Sequence, residues 1–258
     1  MKLLYFTLSL ILFVSCTEGE TPIEDPIVDD KPDQNQQRTL SENLRHIESQ
    51  LKILGTEKYT YETYEAHLNE DDSLDLIIAV NLLDRAKDDA IASGQTAKRA
   101  SMGYMGNYNC FFFVDGASDV ITSPIMVPSS PMAPLSISFE NITTEAKKDM
   151  QIDFKIGDSK YRAFYTISER APFQIGETEL YKEVMSDSAS AYIVKFEEGT
   201  HVLAKNIAIY KGLVKKVVTT DPDEIYSIEP EITPTDELVR RWYYSPKHMK
   251  YYLKKEEI

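Results

Sequence analysis

Apolar residues recur at helical spacing in one segment, "TLSENLRHIESQLKILG", residues 39–55. A capping box formed by Thr39 and Glu42 at its start and Gly55 at its end are the signals of a complete helix. Spacings of three and four residues place its apolar side chains on one face, so we predict an N-terminal amphipathic helix. Those side chains are Leu40, Leu44, Ile47, Leu51 and Leu54.

From Tyr59 onward the pattern changes to short runs of β-forming residues separated by turn residues. In one run, Ile152 and Phe154 alternate with Asp153 and Lys155, a period of two that is typical of a strand with one face in water. The pattern predicts an α+β chain that is predominantly antiparallel β, with one β-rich domain built as a sheet or a sandwich. The runs are "DLIIAVNLL", "YNCFFFVDG", "LSISFENI", "MQIDFKIG", "KYRAFYTI", "TELYKEV", "AYIVKFEEG", "VLAKNIAIY" and "LVKKVVTT".

Three further segments depart from this pattern. "LLDRAKDDAIASG" predicts a short helix that ends at Gly94, and "SPIMVPSSPMAPL" holds too many prolines for a central strand. The second segment predicts a surface connection, with a lid or binding loop as the alternative. In "TPTDELVRRWYYSPKHMKYYLKK", Thr233 can cap a helix, Pro234 suits its first turn, and Asp236 and Glu237 favour its dipole. We therefore predict a C-terminal helix.

The first fifteen residues have the layout of a secretory signal, with the basic residue Lys2 before an apolar stretch at 3–14. That stretch is shorter than the roughly 20 residues of a transmembrane helix, so we predict that residues 1–15 are cleaved. The following "LFVSC" resembles the lipobox of bacterial lipoproteins, with Phe13 where that motif usually has Leu. The resemblance implies a covalent lipid on Cys16, and an ordinary secretory signal with an incidental cysteine is the alternative.

Residues 16–38 are rich in proline and acids and poor in large apolar groups, so they predict a disordered tether in front of a globular domain at 39–258. Between residues 17 and 33, seven acids against one lysine contribute −6 of the net charge of −14. Acids close behind the cysteine are similar to the surface-display signal of Bacteroidota lipoproteins. This resemblance implies an outer membrane lipoprotein of the cell envelope, either periplasmic or surface-exposed, that reaches the membrane through its lipid anchor.

The candidate metal site is the acidic loop, residues 67–75, "HLNEDDSLD". A tight loop that binds calcium points every second oxygen-bearing group inward, and Asn69, Asp71, Ser73 through its carbonyl, and Asp75 occupy such positions. A solvated acidic turn is the alternative.

With the "LIIAV" that follows, the loop is similar to the calcium loops of FG-GAP (VCBS-type) repeats, which run D-x-[DN]-x-D-G-x-x-D before an apolar strand. The resemblance implies bound Ca²⁺, although His67 stands at the first Asp and Asp72 at the Gly. "KKDMQIDF" is a weaker echo of the same arrangement, an acid at the end of a loop and in front of a strand.

Aromatic and basic residues interleave in "RRWYYSPKHMKYYLKK". Exposed aromatics with polar tips are surfaces on which glycan or protein partners stack, so Trp242, Tyr243, Tyr244 and Arg241 form the candidate binding set. The alternative is that Leu238, Trp242 and Tyr243 pack this last helix onto the sheet while the bases stay in water.

The remaining chemistry predicts no catalytic site, because no nucleophile elbow, P-loop, HExxH or CxxC motif occurs. With Cys16 lipidated, Cys110 has no disulfide partner, and its aromatic neighbours predict a buried, inert thiol. A pI of about 4.8 excludes nucleic acid as a partner. We predict a cell-envelope lipoprotein with a non-catalytic binding or structural domain, whose partner is a protein or a glycan. The alternative is a hydrolase of envelope or other polymers that uses unidentified carboxylates.

Overall fold

The computed structural model describes residues 34–199, 202–219, 221 and 223–253, with the backbone alone for 34–38. The predicted signal peptide, Cys16 and nearly all of the predicted tether lie outside these residues. Backbone contacts group Met1–Ser41 and Glu42–Ile258 into separate units. The helices are α1 (Gln34–Leu51), α2 (Leu83–Ala92), α3 (Thr96–Ser101) and a 3₁₀ turn (Glu224–Tyr226); the strands are β1 (Thr60–Ala66), β2 (Asp75–Asn81), β3 (Gly106–Val114), β4 (Ile125–Ser129), β5 (Ser136–Glu140), β6 (Asp149–Ile156), β7 (Ser159–Ser168), β8 (Ala171–Lys182), β9 (Ser190–Glu197), β10 (Asn206–Val214), β11 (Ile232–Ser245) and β12 (Lys250–Leu253).

The strands form two antiparallel sheets, which confirms the predicted predominance of antiparallel β structure. A four-stranded sheet has the order β1-β2-β3-β4, and an eight-stranded sheet has the order β12-β11-β10-β9-β8-β7-β6-β5. Residues Ile77 and Phe111 of the first sheet share a buried cluster with Ile152 and Tyr165 of the second. Because side chains alternate between faces, the neighbouring residues of these strands point away from this cluster. The sheets therefore pack face to face as a sandwich over strands β5–β7 of the larger sheet.

The other half of the large sheet curls around a second aromatic cluster. The cluster holds Phe164 of β7 and Tyr251 of β12, with the half-buried Trp242 of β11 beside them. A side chain at Gly176 of β8 would lie 3.4 Å from the Trp242 ring and 3.7 Å from Cβ of Tyr251. The absence of a side chain at Gly176 thus lets the last two strands approach β8.

The outer side of the four-stranded sheet is also buried. Ile78 and Phe112 point away from the sandwich core and have no exposed surface, and α2 contacts β3 there through its buried Ala86 and Ala90. Cys110 is buried on this same outer side, as predicted, and burial raises the pKa of its thiol to about 12. The thiolate is therefore not available near neutral pH.

The N-terminal helix exists, but neither end lies where the sequence signals place it. It begins at Gln34, so Thr39 lies inside α1 and the predicted capping box does not mark its start. It ends before Lys52, whose φ of 53° is left-handed, and the Ile53 N–H donates to the Glu48 carbonyl at 2.8 Å. That bond is the six-to-one bond of a Schellman motif, so Lys52 ends the helix in place of Gly55.

The predicted C-terminal helix is wrong, because that segment forms β11 and β12. β11 pairs with β10 along its length, from Ile232 opposite Val214 to Trp242 opposite Ile207. The helix-start signals around Thr233 are local and worth about 1 kcal/mol each, whereas strand pairing satisfies the backbone of β11 and packs Trp242 and Tyr244 against a buried cluster. Tertiary pairing therefore decides this segment.

The water-facing side of β6 is also predicted wrongly. Asp153 is 9% exposed and Lys155 is 4% exposed, because the segment around the 3₁₀ turn covers this face. The proline-rich segment behaves as predicted in one respect, since its strand β4 is an edge strand. Among the described residues, no helix has both the length and the apolar character needed to cross a membrane.

Candidate functional site

The acidic loop is closed by hydrogen bonds to its own backbone. Asp75 has no exposed surface; its Oδ2 accepts from Leu68 N at 3.0 Å, and its Oδ1 accepts from Gly116 N at 3.0 Å and Asn69 Nδ2 at 3.3 Å. The Asp71 Oδ1 accepts from the N–H of Ser73 at 2.8 Å. The Ser73 carbonyl, the predicted ligand of that residue, lies 2.9 Å from the His67 Nδ1. Protein groups thus contact both oxygens of Asp75, one oxygen of Asp71 and the Ser73 carbonyl, which the sequence assigns to a cation.

Burial sets the electrostatics of this loop. It raises the pKa of Asp75, and the hydrogen bonds from Gly116 N and Leu68 N offset only part of that effect. Within the part of the chain that the structure describes, no group of three His, Cys, Asp or Glu side chains is arranged to hold a metal ion. Calcium at Asn69, Asp71, Ser73 and Asp75 stays a prediction that only a binding measurement can decide.

The weak echo in the sequence is a close structural copy of the acidic loop. Asp149 ends the β5–β6 loop, and its Oδ2 accepts from Ile142 N at 3.1 Å, a separation of seven residues like that between Asp75 and Leu68. The Asn141 Nδ2 donates to the Lys147 carbonyl at 2.8 Å, at the position where His67 reaches Ser73. His67 therefore closes its loop as Asn141 closes the copy, which explains why neither position holds an Asp.

The two loops lie side by side and form one wall of a cleft. The N–H of Lys148 donates to the His67 carbonyl at 2.8 Å, which joins them. The cleft has a volume of about 450 Å³ and is lined by charges of both signs. Burial opposes ionisation of its Asp115, but hydrogen bonds from Ser118 and Ala117 and the charge of Arg170 together lower the Asp115 pKa. The lining residues are Asn69, Glu70, Asp71, Asp115, Lys147, Ile167, Glu169 and Arg170.

The four predicted binding residues of β11 are divided between the two faces of the sheet. Trp242 packs against the second aromatic cluster, as the packing alternative predicts. Tyr244 packs there too, whereas Leu238 is exposed. Arg241 points the opposite way and makes two 2.8 Å bonds to Glu197, and Tyr243 pairs with the exposed Tyr252 of β12. The alternation of a strand, which a helix prediction does not contain, separates the set.

Arg240 lies on the same face as Trp242. Its guanidinium carbon is 5.5 Å from the Tyr192 ring and 5.6 Å from the Trp242 ring, and its NH2 donates to the Thr178 hydroxyl at 2.9 Å. The side chain is 29% exposed, and the nearest carboxylate oxygen, in Glu179, is 3.9 Å away. Strands β8 and β9 pair at Tyr181–Ala191 and Lys182–Ser190. The contacts of Arg240 with Thr178 of β8 and Tyr192 of β9 lie beside the point where these two strands separate.

Sequence reasoning missed a charged network on the covered face of β6 and β7. Arg162 donates to both oxygens of Asp153, at 2.6 and 2.9 Å. Lys155 and Lys160 face each other across the strands, and the carboxylate of Glu229 lies 3.3 Å and 3.0 Å from their ammonium groups. Desolvation lowers the pKa of Lys155, and Glu229 works against that shift. The sequence shows these charged residues at alternating positions of β6, but the segment around the 3₁₀ turn that covers them is about 70 residues away in the chain.

A second cleft lies beside β1, an edge strand of the four-stranded sheet. It has a volume of about 540 Å³ and is lined by Tyr59, Leu83, Met132 and Pro134, with charged groups including Glu57 and Asp84. Asn81 fixes one wall, since its Nδ2 donates to the Pro131 carbonyl at 2.8 Å. Its lining combines apolar side chains with charges of both signs, since Lys58 is present and Glu57 is paired with Arg85.

Comparisons of the chain with protein-family models, with curated proteins and with solved structures found no match.

Proposed function

We propose that this protein is a cell-envelope lipoprotein, held at the outer membrane by a lipid on Cys16, whose β-rich domain is a non-catalytic module that binds a glycan. One observation carries the choice of partner. Five aromatic side chains on the curled half of the large sheet are half-buried: Phe173, Tyr192, Phe196, Trp242 and Tyr244. Flat rings with one accessible face are the surface on which sugar rings stack, and their rigidity keeps the entropy cost of binding low.

A glycan array probed with the domain beginning near Gln34 tests the binding role. We expect a restricted set of glycans to bind, and Trp242→Ala to lose that binding while it keeps the native circular dichroism spectrum. Binding without any loss in Trp242→Ala would contradict the choice of site. Release of sugar products by the purified protein would replace the binding role with the hydrolase alternative.

Mass spectrometry of the native protein tests the anchor separately. A mature chain that begins at Cys16 with an added lipid mass is the expected result. An unmodified Cys16 thiol, or residues 1–15 still attached, would contradict it.

A protein partner is the second candidate, favoured by the cleft beside β1. A cleft with apolar side chains next to an edge strand suits an extended segment of a partner, because the strand edge offers backbone hydrogen bonds and the cleft can receive apolar side chains. Met132→Glu should abolish capture of such a partner in a pull-down and leave glycan binding unchanged. Capture that persists in this variant would contradict a role for the cleft.

A further inference from the structure

The arginines of this domain differ in how many of their donors the protein uses. Arg162 engages all three nitrogens, with Asp153 and Gln151, and Arg85 engages all three with Glu57 and backbone carbonyls. Arg241 makes a two-point contact with Glu197. Among the described residues, Arg99 and Arg240 each make a single hydrogen bond of this kind, and that of Arg240 runs to the Thr178 hydroxyl.

The position of Arg240 is nevertheless well defined. Two aromatic rings flank its guanidinium, and the register of β10 and β11 shifts between Ile209 and Tyr210, directly beside the pair that Arg240 makes with Ile209. Such irregularities change the direction of a side chain and are common beside binding sites. The nearest carboxylate, Glu179, is 3.9 Å away and 30% exposed, so this ion pair contributes little. A planar cation is thus held in place. Its Nε is buried without a partner, and its two NH₂ groups carry further donors beyond the one bonded to Thr178.

We propose that Arg240 binds the carboxylate of an acidic sugar whose ring stacks on Trp242 or Tyr192. This inference rests on the proposed glycan-binding function and names the ligand class. A guanidinium fork matches a carboxylate through two parallel hydrogen bonds. The neighbouring rings match the flat apolar face of a pyranose.

The chain contains its own reporter for this contact. Trp242 is the single tryptophan among 258 residues, so tryptophan emission reports on this site alone. The experiment titrates the full-length lipoprotein in detergent with trigalacturonate, a hyaluronan tetrasaccharide and an alginate trisaccharide. Fully methyl-esterified trigalacturonate has the same rings without charge, and a Glu-rich peptide has the charge without the rings.

We expect at least one acidic sugar to change the Trp242 emission saturably, and its neutral ester to bind roughly 10- to 100-fold more weakly. Arg240→Gln should lower the affinity for the acidic sugar to the affinity that the wild type has for the ester. Arg241→Gln is the matched control, because its side chain points to the other face, and it should bind like the wild type. If Arg240→Gln does not fold by circular dichroism, Arg240→Lys decides, since a lysine keeps the charge but cannot form the fork and should still bind several-fold more weakly.

Each other result overturns the inference. Equal binding of the acidic sugar and its ester would show that the carboxylate is not recognised, and the proposed glycan binding would be unaffected. Equal losses in Arg240→Gln and Arg241→Gln, or no loss in either, would remove Arg240 from the site. A response to the Glu-rich peptide as strong as to the sugars would replace the sugar with an acidic protein segment. Failure of every acidic sugar at millimolar concentration would reject the ligand class, whereas the proposed function fails only if neutral glycans on the array fail too.

Discussion

Replacement of Asp75 by asparagine should destabilise the domain much more than the same replacement of Asp149. The two oxygens of Asp75 accept from different backbone N–H groups, Leu68 N on Oδ2 and Gly116 N on Oδ1. An asparagine has one acceptor oxygen, so one of these N–H groups must face an NH₂ group. An unsatisfied buried N–H donor costs about 1–3 kcal/mol of stability. Because burial raises the pKa of Asp75, replacement of its buried charge by a neutral amide offsets part of that cost. We expect a net loss of about 1–2 kcal/mol.

Asp149 is equally buried but uses its oxygens differently. Its Oδ2 accepts from both Ile142 N and Thr143 N, at 3.1 and 2.6 Å, and the Thr143 hydroxyl lies 3.0 Å from Oδ1. An asparagine can keep both backbone bonds on its one oxygen and donate its NH₂ group to that hydroxyl. Asp149→Asn should therefore stay within about 0.5 kcal/mol of the wild type.

Thermal and urea unfolding followed by circular dichroism measure the contrast. For a domain of this size, 1–2 kcal/mol corresponds to a Tm lower by about 2–8 °C for Asp75→Asn. Asp71→Asn serves as a second control, because the exposed Asp71 uses one oxygen and asparagine supplies one. Equal losses at Asp75 and Asp149, or an unchanged Asp75→Asn, would refute the count of acceptors on which this reasoning depends.

Three further outcomes are expected. Arg170→Gly should raise the free energy of unfolding, measured in urea, by about 0.5–1 kcal/mol. Glu169 and Arg170 form the turn between β7 and β8 with left-handed φ values of 50° and 63°, and glycine adopts this conformation without strain. A gain of the same size in Arg170→Ala would show that relief of this strain is not the cause. The hydrogen bond from Arg85 lowers the pKa of Glu57 in the folded state, so the stability that this bond contributes is fully present above the unfolded-state pKa of 4.5 and disappears as pH falls through the folded-state pKa. The stability difference between wild type and Glu57→Gln should therefore shrink below pH 4.5. A constant difference down to pH 2 would contradict this. If the acidic loop binds calcium as the sequence predicts, EDTA lowers Tm and added calcium restores it, whereas an unchanged melt removes calcium from the account.

The class of fold and many element positions could be predicted from local pattern. The alternation in "LSISFENI" corresponds to β5, with Ile137 buried and Ser136 and Ser138 exposed. "LLDRAKDDAIASG" forms α2, which ends before Gly94. Of "LVKKVVTT", only Leu213 and Val214 belong to a strand, as the end of β10. Local pattern succeeds where the buried face and the backbone preference agree.

The candidate site was predictable only in part. The aromatic residues of the C-terminal segment are visible in the sequence, and Trp242 does lie on the surface that we propose for binding. The predicted binding set, however, contained Arg241 and not Arg240. On a strand, Arg240 and Trp242 share a face because they are two residues apart, and Arg241 faces away.

By itself the sequence determined the antiparallel β class, the acidic loop with its copy, and a strongly acidic chain with one tryptophan, because these depend on residue identity and short-range spacing. The tertiary structure decided which face of β6 is covered, that residues 232–253 pair as strands, and that Arg240 meets Tyr192 and Trp242. These features depend on segments that are far apart in the chain, such as Lys155 and the Ile228 carbonyl that receives its hydrogen bond. A sequence period of two indicates that a strand has two different faces. Which segment packs against each face depends on the folded chain.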